Sequence, residues 1–293
     1  MELVDLLIFR TVVDQGGIVK AARKLHRVPS SVTMRIKQLE ASVGAQLFYR
    51  HRQRLFLAPA GELLLAYADK LLSLSEEAKT AVSGSPPSGV LRLGALESTT
   101  ASRLPDVLAA YHRAYPNVRV ELRTGTNDAL TAAVVERALD AAFVAETPAD
   151  KTLASMPLFA EQLTIISSVG HKRIAGPADV AGDSVIAFPN GCAYRRVLQR
   201  WLGDTRVASV RVLELGSYHA IVACVASGTG IALVPESVLA TVKHAQVARH
   251  RLPKVYANVT TPLIWRAAEQ PAAVVALRQE LEAHKHVARA RAA

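Results

Sequence analysis

The sequence of 293 residues has only two cysteines, few aromatic side chains and no long apolar run. The two cysteines, Cys192 and Cys224, are too few for the disulfide framework of a small secreted protein or for a structural zinc site. An uninterrupted stretch of about 20 apolar residues, which a membrane-spanning helix requires, is absent. Glu2 and Asp5 stand where a signal peptide carries cations. These absences predict a cytoplasmic protein that spans no membrane and needs no metal or organic cofactor.

Acidic residues are almost missing from residues 15–54. This window carries nine Lys and Arg side chains and one acid, Glu40. Residues 1–58 hold +6 of the formal net charge of +10. A solvated surface usually mixes both signs of charge, so basicity this one-sided favours a polyanionic partner over an ordinary basic surface. We therefore expect double-stranded DNA to bind this part of the chain.

Three short apolar stripes in the same region predict three helices, because their spacing of three and four residues marks one buried face. The stripes are Leu3, Leu6, Leu7, Phe9 and Val13, then Ile18, Ala21, Ala22 and Leu25, then Val32, Ile36, Leu39 and Val43. Leu47–Phe48 and Leu55–Leu57 follow as two short strands around a cationic tip. Residues 1–58 are therefore predicted to form a winged helix-turn-helix domain.

The third helix would turn a polar and cationic face to solvent. Hydroxyl and amide groups can meet base edges in a major groove, while cations meet phosphates. The tip of the wing is expected to touch phosphate or a minor groove. The candidate DNA-binding residues are Arg27, Pro29, Ser30, Ser31, Thr33, Met34, Arg35, Lys37, Gln38, Arg50, Arg52 and Arg54.

A heptad-like stripe follows in residues 59–82, which predicts a long linker helix. Its apolar positions alternate in steps of three and four, the spacing of a seam between helices. Packing on its own domain would give the same stripe, but the segment leads away to a flexible breaker, residues 83–89. We expect dimerisation here, so that two reading heads face a pseudo-palindromic site. The expected seam residues are Leu64, Tyr67, Leu71, Leu74 and Ala78.

Strands and helices alternate through residues 90–293, which predicts an α/β domain with parallel strands. Two such βαβ groups occur, so the domain is predicted to have two lobes similar to those of periplasmic binding proteins. Lobe I would span about 90–160 and 265–293, and lobe II about 161–264. Strands near Glu161–Ile165 and Asn258–Leu263 would cross between the lobes. A single helix is expected from the end of the first strand to Tyr115.

Polar residues at the carboxyl ends of the strands are the candidate ligand contacts, because ligands of open α/β folds bind there. Glu97 is the least expected of them, since a carboxylate at a cleft either faces solvent or recognises an amine. The hydroxyl groups either cap their own helices or contact a ligand. The candidate effector-binding residues are Glu97, Ser98, Thr99, Thr100, Thr126, Val144, Phe188, Asn190, Ser217 and His219.

The chain resembles the LysR-type transcriptional regulators, from the helix-turn-helix region to the end of the α/β part. In the first region the residues in the family's order and spacing are Gly16, Ala21–Ala22, Leu25, Val32–Thr33, Ile36, Leu39–Glu40, Gly44, Leu47–Phe48, Arg50, Leu57 and Gly61. Four later stretches, 115–122, 139–146, 191–195 and 228–235, fit the ligand-binding part. The resemblance implies a homodimer or homotetramer that binds DNA, holds a small effector between the lobes and contacts RNA polymerase.

The helix starts depart from the family pattern, which usually has Ser or Thr there. Gly17 precedes the second helix, Val28 and Pro29 the third, and Ala58 and Pro59 the linker helix. A capping hydroxyl contributes about 1 kcal/mol. The departures therefore predict a less stable DNA-binding domain.

Two other classes of function stay open at this point: a solute-binding protein of a transporter, and an enzyme on the same bilobal fold. A triad of Ser98, Asp140 and His219 is conceivable, but no nucleophile-elbow glycine pattern surrounds the serine. Cys192 heads a predicted helix, where it would serve as a redox-responsive thiol or as a buried core residue. The basic first domain favours an effector-controlled regulator over both classes.

Overall fold

Two folded units make up the chain, Met1–Gly89 and Val90–Ala293. The structure, a computed structural model, describes residues 1–51, 54–83, 86–203, 211–242 and 246–292. Within this described part, no helix is long and apolar enough to cross a membrane.

The first unit is a helix-turn-helix with a two-stranded wing and a long helix. Its elements are α1 (Leu3–Asp14), α2 (Ile18–Lys24), α3 (Pro29–Val43), β1 (Phe48–His51), β2 (Arg54–Leu57) and α4 (Pro59–Ser83). β1 and β2 pair antiparallel. The apolar faces of α1, α2 and α3 meet in one buried cluster with Leu47 and Phe48. Most positions of the predicted stripes lie in this core, but Leu3, Leu7 and Val43 are exposed, and Ile8 and Val12 of α1 are buried in their place.

Local contacts set the path of the chain from the end of α3 into the wing. Gly44 takes a left-handed conformation (φ 69°) that ends α3, which glycine adopts at little cost. The Glu40 side chain then accepts hydrogen bonds from the backbone N–H of Leu47 (2.8 Å) and Phe48 (3.2 Å). Because of these two bonds, the start of the wing is held against the end of α3.

The second unit alternates strands and helices as predicted. In chain order it contains β3 (Gly89–Ala95), α5 (Glu97–Ser102), α6 (Leu104–Ala114), β4 (Val118–Thr124), α7 (Asn127–Val135), β5 (Ala141–Phe143), β6 (Leu153–Ser168), a 3-10 helix (Pro177–Val180), β7 (Val185–Ala187), α8 (Ala193–Leu202), β8 (Val212–Glu214), α9 (Tyr218–Ala226), β9 (Ala232–Pro235), α10 (Glu236–Thr241), β10 (Val247–Arg251), α11 (Lys254–Ala257), β11 (Asn258–Arg266) and α12 (Ala272–Ala292).

One long strand, β6, belongs to the sheets of both lobes. Its first part pairs antiparallel with β11, from Leu153 to Gln162. Its last part pairs with β9 and β10, from Leu163 to Ser168. The sheet order is β10-β6-β11-β5-β3-β4, with β9 also on β6, and β7 and β8 form a parallel pair beside it. The predicted crossing of a strand near Glu161–Ile165 is confirmed.

Two apolar clusters fill the second unit. One lies between the lobe I strands of the sheet and the helices α6 and α12, around Tyr111 and Phe143. The larger one runs from α7 into α8 and α9, and so through both lobes. β11 pairs with β5 at Leu263–Trp265, so the sheet of lobe I includes residues before the predicted start at 265.

The prediction of one unbroken helix to Tyr115 was wrong. The structure has two helices there, α5 and α6, which are separated at Arg103. Arg103 has a non-helical backbone (φ −122°, ψ −35°). Pro105 stands in the first turn of α6. It has no N–H to donate to the carbonyl of Ala101, four residues earlier, and its ring crowds that carbonyl, so a helix cannot continue through it unbroken. Ser102 closes α5 by donating its hydroxyl to the Ser98 carbonyl (2.7 Å).

Candidate functional site

The outer face of α3 is polar and open to solvent. Ser30, Lys37 and Gln38 are exposed, and Met34 is 56% exposed although it is apolar. Arg27 and Pro29 are also exposed at the start of the helix, while Ser31 is half-buried. These predicted residues share one accessible surface at the N-terminal half of α3.

Two other predicted residues of α3 already have partners within the unit. The Thr33 hydroxyl donates to the Pro29 carbonyl (2.9 Å). The Arg35 guanidinium reaches the Asp5 carboxylate of α1 (3.1 Å), and Asp5 is buried. Arg35 therefore joins α3 to α1, which sequence reasoning missed, and only part of its guanidinium faces outward.

Five cations on α2, on α3 and in the turn between them lack any counter-ion among the described residues. All five are exposed, namely Lys20, Arg23, Lys24, Arg27 and Lys37. Glu40, the one acid of the window, has its carboxylate turned to the backbone N–H groups of the wing. The positive charge of this surface is therefore not neutralised inside the unit.

The wing carries the remaining predicted cations. Arg50 in β1 lies opposite Leu55, and Arg54 in β2 lies opposite His51. Arg52 lies outside the described residues.

The long helix α4 has an exposed apolar stripe that differs from the predicted seam at one position. Leu64 packs against the core of its own unit, whereas Leu63 is exposed in its place. The remaining exposed positions, Tyr67, Leu71, Leu74 and Ala78, are those predicted. The prediction chose Leu64 because two neighbouring positions, Leu63 and Leu64, both fit a spacing of three and four residues.

In the second unit, the carboxyl ends of the strands bring Glu97 and Ser98 together with residues of lobe II. Glu97 Oε1 accepts a hydrogen bond from the Tyr218 backbone N–H at the start of α9 (3.4 Å). Ser98 and Thr99 are both buried. The Glu97 carboxyl lies half-buried, and burial raises its pKa while the Tyr218 N–H and nearby His219 act in the opposite direction.

A group of buried hydroxyls surrounds Ser98 between the lobes. The Tyr194 hydroxyl on α8 lies near Ser98 and near Thr261 of β11, and the Tyr218 hydroxyl also lies near Ser98. Tyr194 and Tyr218 are almost fully buried, which raises the pKa of both phenols. We call Ser98, Tyr194, Tyr218 and Thr261 the hydroxyl cluster. Tyr218 lies between the predicted positions Ser217 and His219, but sequence reasoning missed Tyr194 and Thr261, although Tyr194 lies in one of the stretches that carried the family resemblance.

An arginine of lobe II is held by two acids of lobe I. Arg196 on α8 contacts both carboxylate oxygens of Asp128 (3.0 and 2.9 Å) and donates to Glu146 (2.7 Å). The Asp128 backbone N–H also donates to the Gly191 carbonyl (3.3 Å). These contacts close the side of the cleft next to α7 and α8.

A second group of contacts lies where β6 crosses between the lobes. The buried Glu161 carboxylate accepts from Arg103 (2.6 Å) and from Ser237 of α10 (2.7 Å). The Ser102 and Ser237 hydroxyl oxygens lie 3.2 Å apart. The break between α5 and α6 is thus tied to lobe II through one carboxylate.

These features are those of a DNA-binding head joined to a bilobal ligand-binding unit, and the comparisons agree. Residues 3–62 match the family of bacterial regulatory helix-turn-helix proteins of the lysR type, and residues 84–285 match the LysR substrate binding domain. The chain belongs to the LysR family. It is similar to the transcriptional regulator GltR of Bacillus subtilis, with 35% identity over 268 residues, 91% of this chain and 90% of GltR.

Solved structures of LysR regulators share the fold over nearly their whole length. A full-length OxyR variant from Pseudomonas aeruginosa matches with a TM-score of 0.70 at 20% identity, covering 96% of this chain and 94% of that one. Full-length CbnR in complex with its target DNA matches with a TM-score of 0.67 at 21% identity, covering 96% and 99%. At these identities the likeness establishes a LysR architecture for this chain.

LysR proteins are transcriptional regulators, so neither the enzymatic nor the transporter alternative holds for this chain. The conceivable triad is not assembled, because the Asp140 carboxylate accepts from the Arg92 backbone N–H (2.7 Å) at the other end of β3. The Cys192 thiol is buried, and burial raises its pKa, which disfavours the reactive thiolate. Among the described residues, no group of His, Cys, Asp and Glu is arranged to hold a metal ion.

The other predicted effector residues of this LysR chain have mixed surroundings. Thr100 donates its hydroxyl to the Leu96 carbonyl, and Thr126 caps α7 by accepting from Ala129 N–H. Val144 is fully buried in the larger apolar cluster, so it offers packing and no polar contact. Phe188 packs its ring against Tyr218, with 4.7 Å between ring centroids. Asn190 and His219 are exposed, and Ser217 is half-buried before α9.

Proposed function

We propose that this LysR-family regulator reads operator DNA with the outer face of α3 and with the wing, and that an effector between the lobes controls this binding. The observation that supports this most strongly is the uncompensated charge on α2, on α3 and in the turn between them. Five exposed cations there have no counter-ion within the described residues, and Glu40, the one acid of residues 15–54, is turned to the wing. Such a surface gains most from phosphate groups, which neutralise it and release counter-ions.

Within this surface we assign base contacts to Ser30, Ser31 and Met34 and phosphate contacts to Arg27 and Lys37. The short side chains lie on the first two turns of α3, where a recognition helix meets base edges. Long cations are suited to the phosphates beside the groove. Pro29, Thr33, Gln38, Arg35 and the wing arginines Arg50, Arg52 and Arg54 complete the proposed interface.

We also propose that the chain forms a homodimer, or a homotetramer built from dimers, through the exposed stripe of α4. Leu63, Tyr67, Leu71 and Leu74 present apolar surface along one side of the helix. A second copy would cover this surface, because apolar side chains aligned on a helix associate with an equivalent face. The dimer would carry two α3 helices to a pseudo-palindromic operator.

The proposed effector site is the interlobe cleft, with Glu97, Ser98, Thr99, Phe188, Asn190 and Ser217 in contact with a small organic molecule. A ligand that binds one lobe arrangement more tightly shifts the population towards it, and so changes the DNA-bound state. Like other regulators of transcription initiation, the protein would act in the cytoplasm together with RNA polymerase.

The DNA-binding proposal is tested by gel shift of the full-length protein on the DNA upstream of its own gene and of its neighbours. We expect a specific shift at moderate salt. Lys37→Ala should weaken binding on all sequences and lower the salt dependence by about one unit of slope. Lys151→Ala removes the same charge from an exposed position of the second unit and should change neither quantity. The absence of any specific shift by the wild-type protein would contradict the proposal.

A further inference from the structure

Glu97 is a carboxylate at the cleft that forms no ion pair with any Lys or Arg in the described part of the chain. Its Oε1 atom accepts from the Tyr218 N–H, while its Oε2 atom is shielded from solvent and has no hydrogen-bond partner within the described part of the chain. The exposed imidazole of His219 lies near enough to favour the charged form. A shielded carboxylate oxygen without a partner is costly to hold in a folded protein.

Three arginines on the elements around the cleft are already paired with acids. Each of the three meets at least one carboxylate within the same unit. They are Arg103 with Glu161, Arg195 with Glu214, and Arg196 with Asp128 and Glu146. An anionic ligand would therefore compete with existing ion pairs for these three guanidinium groups, whereas a cationic ligand would meet a carboxylate that is ion-paired to no Lys or Arg of the described residues.

The hydroxyl cluster adds two more buried polar atoms whose described neighbours are the other hydroxyls of the cluster, at poor hydrogen-bond geometry. The Tyr194 hydroxyl and the Thr261 hydroxyl have no hydrogen bond of good geometry to any described residue. Tyr194 is 4% exposed and Thr261 is 0% exposed. Both groups are close to Ser98, the residue that follows Glu97. Hydroxyls donate as well as accept, so they suit a carboxylate, carbonyl or hydroxyl group of the same ligand.

We propose that the effector carries an ammonium group, which Glu97 binds, and an oxygen-bearing group, which the hydroxyls of Tyr194 and Thr261 bind. Amino acids and their amine derivatives form this chemical class. The inference rests on the proposed regulator function and specifies its ligand. An ammonium group supplies both the counter-charge and the hydrogen bond that Oε2 lacks, and charge-assisted hydrogen bonds are the strong ones.

A protonated Glu97 that donates to an acceptor on the ligand is the competing arrangement. Glu97→Gln separates the two, because an amide has the shape of the protonated carboxyl and still donates a hydrogen bond. The amide has no negative charge to offer an ammonium group. Glu136→Gln is the matched control, since Glu136 is exposed in the same lobe and lies outside the cleft residues.

The experiment measures thermal unfolding of the full-length protein with paired probes. The common amino acids are each compared with the hydroxy acid of the same skeleton, putrescine with butanediol, and succinate serves as a dianion. We expect at least one amine to raise the melting temperature and its hydroxyl counterpart to fail. Titration should give an apparent Kd raised about tenfold or more in Glu97→Gln and unchanged in Glu136→Gln.

Three results would overturn the inference: stabilisation by succinate or hydroxy acids alone, no stabilisation by any amine, or an amine response that Glu97→Gln retains. Gel shifts of the same preparations separate this failure from failure of the regulator function. Specific DNA binding without an amine response leaves the regulator standing with a different effector. Wild-type protein that does not bind DNA specifically removes the regulator proposal itself.

Discussion

Val28→Thr should stabilise the DNA-binding unit by about 1 kcal/mol, because it adds a capping hydroxyl that α3 lacks. Val28 has the extended backbone of a helix cap (φ −79°, ψ 144°) but its side chain makes no capping hydrogen bond. Pro29 has no N–H, so a hydroxyl at position 28 would accept from the backbone N–H of Ser30 or Ser31. Threonine has the shape of valine, and Val28 is 62% exposed, so little apolar contact is lost.

The assay is thermal unfolding of the fragment 1–89, which forms a unit with its own core. For a domain of this size, 1 kcal/mol corresponds to a rise in melting temperature of about 4–8 °C. Val28→Ser should give a similar rise, and Val28→Ala, which has no hydroxyl, should give none. If neither hydroxyl variant stabilises the fragment, or if alanine stabilises it equally, the argument that α3 lacks a cap is refuted.

Two further predictions concern assembly and pH. Leu71→Asp should dissociate the dimer in sedimentation velocity while Ala66→Asp, at an exposed position off the α4 stripe, should not; a monomeric wild type would contradict the proposed seam. His250 is held neutral, because its Nδ1 atom accepts from Ile174 N–H (3.1 Å), and burial lowers its pKa. The unfolded chain therefore binds a proton at a higher pH than the native protein does. Stability should fall as the pH drops through about 6.5, the ordinary histidine pKa that applies to the unfolded chain. Melting temperatures from about pH 7 to about pH 5 should fall more steeply in the wild type than in His250→Gln, and equal slopes would contradict this account.

The local part of the fold could be predicted from the sequence. The three apolar stripes of the first unit repeat within seven residues, so most of their positions mark a buried helix face without knowledge of tertiary contacts, although Leu3, Leu7 and Val43 are exposed. The alternation of strands and helices after Gly89 is equally local. Errors arose where one competing local signal was overlooked, as at Arg103, where Pro105 in the next turn interrupts a helix that the apolar pattern would continue.

The cleft was predicted only in part, because its contacts join residues far apart in the sequence. Glu97 and Tyr218 are separated by 121 positions, and Arg196 and Asp128 by 68. Strand-end reasoning finds the residues that follow β3, since a ligand site at that edge is a general property of α/β sheets. It does not find Thr261, which lies inside a strand and reaches the cluster through the register of β11.

The position of Thr261 has a mechanical consequence. The register between β6 and β11 shifts at Thr261/Pro262, where the partner changes from Phe159 to Pro157. Such a bulge bends a strand and increases its twist. Here it lies between β11 and β6, and β6 belongs to the sheets of both lobes. A molecule bound to the Thr261 hydroxyl would therefore contact the strands that connect the two lobes. Ligand binding would then act directly on the strands that connect the lobes, and no chain of intermediate side chains would be needed to change the angle between them.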